Sequence, residues 1–470
     1  MPLRFHLIGR LFTGLVFLYL LLPNLVAPGM FMDGMMYATL AHNIYLGEGS
    51  FWQPYFSTEY YPIFNEHPPL IFGLHSLFYQ LFGDSYIIDK LFSFLVALFT
   101  LILLHRIWLR LFDRDSAFRA LSWFPILLWI TIPRVFWAYQ NNMLDSAMGL
   151  FCALTVWLIL HVNRENQFKN WVWLFFASLA LLGAFLSKGF IGLFPLCLLF
   201  WFDSLIYKMT WLRVIGRSLI FVSIFALVVV LFFAWIPDAY QNISAYLNTQ
   251  VKQSLMGQRE TDSRFFIIKT LLTEALLPIL LTVAAFIFHR FRKQKHVETE
   301  NNAQALLLIA LGLCGILPIM ISPKQLGFYL IPAIPYVVMG LSVFIIQYFK
   351  LYQIKLKPKF KKYIYVKLIA AMVVLVVLVI NQHGKPVRDA DELADAEKIE
   401  HFISTTNCIA AGSEMLNSWT MMAYLKRYHG IELRFKPNSC TYFLAKDELL
   451  IHGYKLVNLG LKRYKLYQKN

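Results

Sequence analysis

The sequence has few charged residues and few cysteines for its length. Only 15% of its 470 residues are Asp, Glu, Lys or Arg, against about a quarter in a soluble protein. Its five cysteines show neither a Cys-x-x-Cys pair nor a zinc-ligand spacing. No glycine-rich nucleotide-binding motif occurs, so a nucleotide-linked substrate has no obvious site. These absences argue against a soluble nucleotide-dependent enzyme and direct attention to the apolar residues, which make up 58% of the chain.

Long apolar runs dominate the sequence. Many reach the length of roughly 18 to 22 residues that lets a helix cross a bilayer. A shorter segment at 69–83 is either a further span or a surface helix. We therefore predict an all-α polytopic membrane protein with about 11–13 transmembrane helices. The predicted spans are 8–28, 86–105, 117–137, 143–161, 171–187, 189–207, 218–236, 268–289, 303–321, 326–347 and 364–381.

The positive charge predicts the orientation of these spans. The formal net charge of +16 comes mostly from Lys and Arg in alternate short loops, which is typical of cytoplasmic loops. Residues 30–85 contain no Lys or Arg, so we place them outside the cytoplasm. The same alternation predicts a cytoplasmic N-terminus in the inner (plasma) membrane. No basic face with interleaved aromatics emerges, and nucleic acid is not an expected partner.

The last 89 positions, 382–470, differ from the rest of the chain. We predict that residues 1–381 form the transmembrane domain and that 382–470 form a small extracytoplasmic α/β domain. Cys408 and Cys440 lie in this segment; a disulfide between them is possible in an oxidising compartment, but two cysteines do not establish it. The expected elements are helices at 389–402 and 414–428 and strands at 408–411, 431–435, 441–444 and 454–459.

The extracytoplasmic loop 30–85 contains the first candidate site residues. Asp33 follows the first span and is a candidate general base, although an Asp there also suits a helix N-cap. Glu66 and His67 precede Pro68-Pro69, whose rings fix the local backbone. This pair is a candidate ligand for a divalent cation or a phosphate. The alternative is a polar helix start.

Further candidates lie on the same predicted side of the membrane. Asp145 begins an apolar run. It is a candidate for orienting a donor substrate, and the alternative is a helix N-cap. Lys188, in Ser187-Lys188-Gly189, interrupts an apolar stretch; it either meets a lipid-linked phosphate or snorkels to the interface. Lys324, which precedes Tyr329, has the same two interpretations as Lys188. The loop 238–267 is either a mobile lid or a solvated linker.

The order of these motifs resembles the polytopic GT-C class of glycosyltransferases. More narrowly, it resembles protein O-mannosyltransferases and lipid A aminoarabinose transferases over about residues 1–345. Four positions depart from the pattern: Gly34 stands where an acidic residue is common, Met36 where one branch has a basic residue, His67 where Lys is usual and, more mildly, Ser187 where Thr is usual. These changes concern the sugar and the acceptor more than the reaction. The matching motifs are Asp33, Glu66-His67-Pro68-Pro69-Leu70, Asp145, Ser187-Lys188-Gly189, Lys324 and Tyr329-Leu-Ile-Pro332-Ala-Ile-Pro335.

The resemblance implies an enzyme that moves a sugar from a polyprenyl phosphate to a lipid, glycan or protein acceptor at the outer membrane face. We expect direct displacement at the anomeric carbon, with Asp33 as the base and with Asp145 and Glu66 as further catalytic residues. Glu66 and His67 would hold a divalent ion, if the reaction uses one. The donor phosphate would contact Lys188, Lys324, Arg264 and His67. The sugar pocket would contain Tyr37, Tyr60, Tyr61 and Tyr329.

A transporter of lipid-linked or other amphipathic substrates is the alternative hypothesis. Transporters also combine many spans with intramembrane charges. They usually place these charges near the midplane, on interrupted helices of two related halves. Here the charged residues gather at one predicted face and no internal repeat is evident, which favours the glycosyltransferase.

Overall fold

The computed structural model describes residues 3–163, 167–252, 263–291, 301–351, 358–403, 406–436, 439–449 and 451–470. By internal packing the chain divides into two compact units. Unit 1 comprises residues 1–22, 94–139 and 144–378, and unit 2 comprises residues 23–93, 140–143 and 379–470. The functional boundary predicted after residue 381 stays a prediction.

All regular secondary structure in the described part of unit 1 is helical. In a bilayer, no water is present to bond the backbone groups of an apolar run. These groups must therefore hydrogen-bond within the segment, which favours a helix. The α-helices that lie in this unit or run into it are Leu3–Leu25, Tyr86–Leu111, Ser116–Ala120, Trp123–Ile130, Pro133–Gln140, Leu144–Ile159, Gln167–Lys188, Leu198–Leu205, Trp211–Trp235, Pro237–Tyr246, Phe266–Glu274, Leu276–Phe291, Asn302–Ile316, Ile334–Phe349 and Pro358–Gln382.

Short turns of other helix types complete this unit. Three are 3₁₀ segments, Phe190–Cys197, Leu317–Ile321 and Gly327–Leu330, and Leu247–Val251 is a π-helical turn. Residues 238–251 of the predicted lid loop are thus largely helical. Its residues 253–262 lie outside the described residues.

Six helices in the described part of the chain are long and apolar enough to cross a membrane, or eight if each of two bent pairs crosses once. The bent pairs turn by 108° at residues 140–144 and by 64° at residues 274–276. Three shorter apolar helices accompany them, including Leu70–Phe82, which at 13 residues spans only about 20 Å. The all-α polytopic fold predicted from the sequence is confirmed.

Several predicted spans are not single helices, and the segment 117–137 is the most divided. The segment 117–137 breaks into Ser116–Ala120, Trp123–Ile130 and the start of Pro133–Gln140. Proline explains the last break, because Pro133 cannot donate to the preceding turn and disfavours helical geometry in the residue before it.

Unit 2 combines two helices that precede the long spans with an α/β segment at the end of the chain. Its helices are Met32–Leu46, Leu70–Phe82, Ala390–Ile403 and Trp419–His429, with a 3₁₀ turn at Ser413–Asn417. Its strands are β1 (Cys408–Ala411), β2 (Glu432–Arg434), β3 (Tyr442–Ala445), β4 (Tyr454–Val457) and β5 (Lys465–Lys469).

The strands form one mixed sheet with the order β2-β1-β3-β5-β4. β1 pairs in parallel with β2 and β3, whereas β5 is antiparallel to β3 and β4. Sequence patterns predict the first four strands and both helices, and the structure confirms the predicted small α/β domain. β5 is an additional strand. A disulfide joins Cys408 to Cys440, with Cα atoms 6.0 Å apart, which ties β1 to the segment before β3.

A charge cluster, buried at Arg427 and Asp89, holds the final segment of unit 2 to its earlier helices. The guanidinium of Arg427 contacts Asp89 at 2.7 Å and Asp84 at 2.8 Å. His42 contacts the other oxygen of Asp84 at 2.8 Å. Burial favours the neutral form of Asp84, but the His42 hydrogen bond and the Arg427 charge prevail and hold its pKa at about 2.

Candidate active site

Asp33 lies in the first turn of helix Met32–Leu46, as its second residue. The N-cap is Phe31, not Asp33, and no side chain caps this helix start. The N-cap alternative for Asp33 is therefore wrong. The half-buried carboxylate instead sits where the helix dipole favours negative charge.

The start of this helix is held by the segment at residues 140–143. The side-chain oxygen of Asn141 accepts a hydrogen bond from the Phe31 amide at 2.7 Å. A Cβ at Gly34 would lie 1.8 Å from the Asn141 carbonyl oxygen. Any side chain at residue 34 would therefore collide with backbone in this conformation.

Tyr37 lies one turn after Asp33 and is buried at 5% exposure. Its ring meets the His67 imidazole edge-on at 5.8 Å and the Phe72 ring at 5.8 Å. The structure thus brings together two predicted site residues, Tyr37 and His67, from different parts of the acidic loop. His67 precedes helix Leu70–Phe82, whose N-cap is Pro69. It lies two residues before that N-cap, in the segment that leads into the helix.

Glu66 is oriented by a tyrosine from the same loop. Its carboxylate accepts a hydrogen bond from the Tyr61 hydroxyl. Tyr61 has a positive φ of 56°, which is uncommon for a bulky residue. The ring of Tyr60 packs edge-on against that of Tyr61 at 5.0 Å. Tyr60, Tyr61 and Glu66, all predicted site residues, are thus contiguous in unit 2.

The described residues contain no group of three or more His, Cys, Asp or Glu side chains arranged to hold a metal ion. Magnesium is often bound through only one or two carboxylates together with substrate phosphates. The divalent ion expected at Glu66 and His67 stays a prediction.

In unit 1, Asp145 and Lys188 form a buried ion pair. Asp145 is the second residue of helix Leu144–Ile159, so its N-cap alternative is also wrong. Lys188 ends helix Gln167–Lys188 and contacts the Asp145 carboxylate. Their exposures are 0% and 5%, so Lys188 does not snorkel. Two charges withdrawn from water in this way persist only when they are paired.

Aromatic rings surround the Lys188 ammonium. It lies 4.8 Å from the centre of the Phe328 ring and 5.1 Å from that of Tyr329, both within the range of a cation–π interaction. The Tyr246 hydroxyl donates to the Lys188 carbonyl at 3.3 Å, and burial raises the pKa of Tyr246 to about 12. The structure therefore joins predicted residues Asp145, Lys188 and Tyr329.

Gly189 is required by this arrangement. Its φ is +93°, and a Cβ there would lie 2.1 Å from the Tyr246 hydroxyl oxygen. Glycine is the residue that adopts such a conformation without strain. The Ser-Lys-Gly motif thus combines a buried cation with a close approach of Tyr246 from helix Pro237–Tyr246.

Lys324 and Arg264 lie in segments that Gln325 connects. The Gln325 side chain donates to the Arg264 carbonyl at 3.0 Å and accepts from the Ile267 amide at 3.0 Å. Arg264 is exposed and Lys324 half-buried. Sequence reasoning missed Gln325, because a glutamine carries no charge signal.

Arg134 has a defined partner. Its guanidinium contacts Glu274 at 3.1 Å, and its amide donates to the same carboxylate at 3.1 Å. Glu274 lies at the bend between Phe266–Glu274 and Leu276–Phe291. This pair was also missed, although an acidic residue inside an apolar run is a usable signal.

Residues 66–237 match the family described as dolichyl-phosphate-mannose-protein mannosyltransferase. The match begins at Glu66 and includes Asp145 and Lys188. No curated protein matches the sequence as a whole at a meaningful level.

The fold has counterparts among solved structures. ArnT from Cupriavidus metallidurans bound to undecaprenyl phosphate is 14% identical, with a TM-score of 0.66 over 97% of both chains. The same protein in its apo state is 15% identical, with a TM-score of 0.62 over 90% of this chain and 84% of that one. AglB from Archaeoglobus fulgidus, in complex with an inhibitory peptide and a dolichol-phosphate, is 14% identical, with a TM-score of 0.51 over 91% of this chain and 64% of that one.

The chain is a multi-pass membrane protein with the fold of the GT-C class of glycosyltransferases. Within that class it resembles the mannosyltransferase family in sequence and ArnT in structure. The resemblance predicted from the sequence motifs is confirmed.

Proposed function

We propose that this protein is an integral membrane glycosyltransferase that moves a sugar from a polyprenyl-phosphate donor to a lipid, glycan or protein acceptor. The observation that carries the proposal is the shared fold over 97% of both chains with ArnT bound to undecaprenyl phosphate. The family match over residues 66–237 supports the same reaction.

Unit 2 supplies the acceptor chemistry in this proposal. Asp33 removes the proton from the acceptor nucleophile, which then attacks the anomeric carbon as the carbon–oxygen bond to the phosphate breaks. The polyprenyl phosphate leaves with the bonding electrons, and the configuration at the anomeric carbon inverts. The half-buried position of Asp33 in a helix first turn suits a base that must stay ionised yet reach its substrate.

Basic side chains supply positive charge for the departing phosphate. Because Lys188 is already paired with Asp145, its charge is partly compensated. Lys324 and Arg264 retain more solvent exposure and are better placed for direct contact with a phosphate. Asp145 then acts by orienting Lys188, and Tyr329 by covering its ammonium group.

Glu66 and His67 also support the donor phosphate in this proposal. Glu66 is aimed by Tyr61, and His67 is packed against Tyr37. A divalent ion bound by this pair would neutralise charge on the donor phosphate. Tyr37, Tyr60 and Tyr61 contribute to the sugar pocket.

We place the protein in the inner (plasma) membrane with a cytoplasmic N-terminus and an extracytoplasmic C-terminal segment. The distribution of Lys and Arg among the loops supports this orientation. The disulfide between Cys408 and Cys440 supports it independently, because such bonds persist in oxidising compartments.

The test uses membranes supplied with a labelled polyprenyl-phosphate sugar and the cell's own lipids and glycans as acceptors. Asp33→Asn keeps the size of the side chain and removes the base, so transfer should fall by at least about 100-fold while the protein stays folded. Full transfer in that variant would contradict the proposed role of Asp33. Mass spectrometry of lipids and surface glycans from cells with and without the gene would identify the sugar and the acceptor.

A further inference from the structure

Trp419 lies against the candidate site residues of unit 2, although it comes from the distant C-terminal segment. It is the first residue of helix Trp419–His429. The centre of its ring lies 4.4 Å from that of Tyr60, edge-on, and 5.9 Å from that of Tyr61. Aromatic pairs at these separations attract one another beyond their burial. Trp419 is half-buried.

Tyr61 needs support from its neighbours. Its φ of 56° belongs to the left-handed region, and a bulky residue stays there only when its surroundings enforce the conformation. One restraint is the hydrogen bond from the Phe56 amide to the Tyr61 carbonyl, at 3.1 Å. The others act on the side chain: its hydroxyl donates to Glu66, and its ring contacts Phe64 and Trp419.

A set of polar contacts fixes the C-terminal segment beside this loop. Glu432 accepts from the Tyr55 hydroxyl at 2.7 Å and from the Thr58 hydroxyl at 2.8 Å. The Phe435 amide donates to Glu59 at 2.7 Å. The carboxylate of Glu432 is therefore held by several donors, which together lower its pKa against the opposing effect of burial. These contacts join the segment that follows helix Trp419–His429 to the loop that carries Tyr60 and Tyr61.

We propose that Trp419 is a positioning residue for sugar transfer: it holds Tyr61 in its left-handed conformation and thereby aims the Glu66 carboxylate. This inference rests on the proposed function. It gives the C-terminal segment a part in the reaction, since the residue that supports Glu66 lies more than 350 positions later in the sequence. Trp419 itself need not touch the substrate.

The role predicts a specific kinetic pattern in the purified full-length protein. Trp419→Ala should lower kcat by about 10-fold or more while the donor KM changes less than about twofold, because a misdirected Glu66 affects the transition state more than binding. Trp419→Phe, which keeps a ring, should recover most of the rate. Tyr61→Phe, which removes the hydroxyl, should reproduce the loss.

A double variant tests whether these residues act together. If Trp419 acts through Tyr61, then Trp419→Ala combined with Tyr61→Phe should be little worse than either single change. Multiplied losses would overturn the inference, as would unchanged kcat in Trp419→Ala. Phe402→Ala is the matched control, because Phe402 is a partly exposed ring of the same segment that packs on Tyr442 at 5.8 Å; it should leave kcat unchanged.

A second measurement separates this inference from the proposed function. Hydrogen exchange of the Phe56 amide reports directly on its bond to the Tyr61 carbonyl. Trp419→Ala should accelerate that exchange at least about 10-fold and leave β1 and β3 protected, whereas Phe402→Ala should not. Unchanged exchange would refute the hold on Tyr61 even in an active enzyme. If the unaltered protein had no transferase activity and Trp419→Ala still accelerated the exchange, the proposed function would be refuted. The structural role of Trp419 would then remain.

Discussion

Asp33 and Asp145 occupy the same local position in different environments. Each is the second residue of a helix that follows an irregular turn. Asp145 is fully buried and paired with Lys188, whereas Asp33 is half-buried. A sequence pattern that records only an acidic residue at a helix start therefore does not distinguish their roles. The buried carboxylate is committed to fixing a cation, while the more exposed one is the base in our proposal.

The largest effect should come from breaking the buried pair. Asp145→Ala leaves the Lys188 ammonium buried without its partner, which typically destabilises a protein by about 3–5 kcal/mol. We expect a markedly lower midpoint of thermal unfolding in detergent, and less folded protein in membranes. Asp33→Asn should leave that midpoint nearly unchanged, and this contrast is what the comparison predicts.

A paired replacement provides the control. Asp145→Leu combined with Lys188→Met removes both charges and should restore most of the thermal stability, because no uncompensated charge remains. Transfer should stay impaired in this double variant, since the oriented cation is gone. If Asp145→Ala unfolded at the wild-type temperature, the pair would contribute little to the fold.

The surroundings of Asp33 can be tested without changing the carboxylate. In Gly34→Ala, the new Cβ meets the Asn141 carbonyl oxygen, to which it would lie only 1.8 Å away. The helix start must move, at a cost of about 1–3 kcal/mol, and transfer should fall because Asp33 moves with it. The measurements are thermal unfolding and transfer rate.

Gly14→Ala is the matched control for this change. Gly14 also lies in a helix, but nothing approaches the position of its Cβ within 4 Å. It should match the wild type or gain slightly in stability, because alanine favours helices. Equal behaviour of Gly34→Ala and Gly14→Ala would show that the close contact with Asn141 does not fix Asp33.

The sequence predicts the helical fold well because span length is a local property of apolar runs. The partners of the charged residues are not local. Asp145 and Lys188 lie 43 residues apart, and composition indicates only that a buried charge needs some partner. The left-handed Tyr61 was also beyond sequence reasoning, since no glycine or asparagine marks the position. β5 was missed because Lys465 and Lys469 at its ends obscure the buried Leu466 and Tyr467.

The smallest predicted effect concerns acid and the charge cluster of unit 2. The pKa of Asp84 is about 2 in the folded protein, below the value near 3.9 of an unfolded Asp. A carboxyl group with a lowered folded pKa contributes stability above its unfolded pKa and loses it as the pH falls through the folded one. The stabilising contribution of Asp84 should therefore be complete above about pH 4 and disappear towards pH 2.

The size of this contribution is limited by solvent. The Asp84 side chain is 45% exposed, so screening reduces the effect to less than about 1 kcal/mol. Thermal unfolding followed between pH 5 and pH 2.5, in the wild type and in Asp84→Asn, isolates it as the difference between the two curves. The curves should converge as the pH falls, because His42 and Arg427 lose their charged partner in both proteins. A constant difference across this range would mean that the contacts of Asp84 do not depend on its charge.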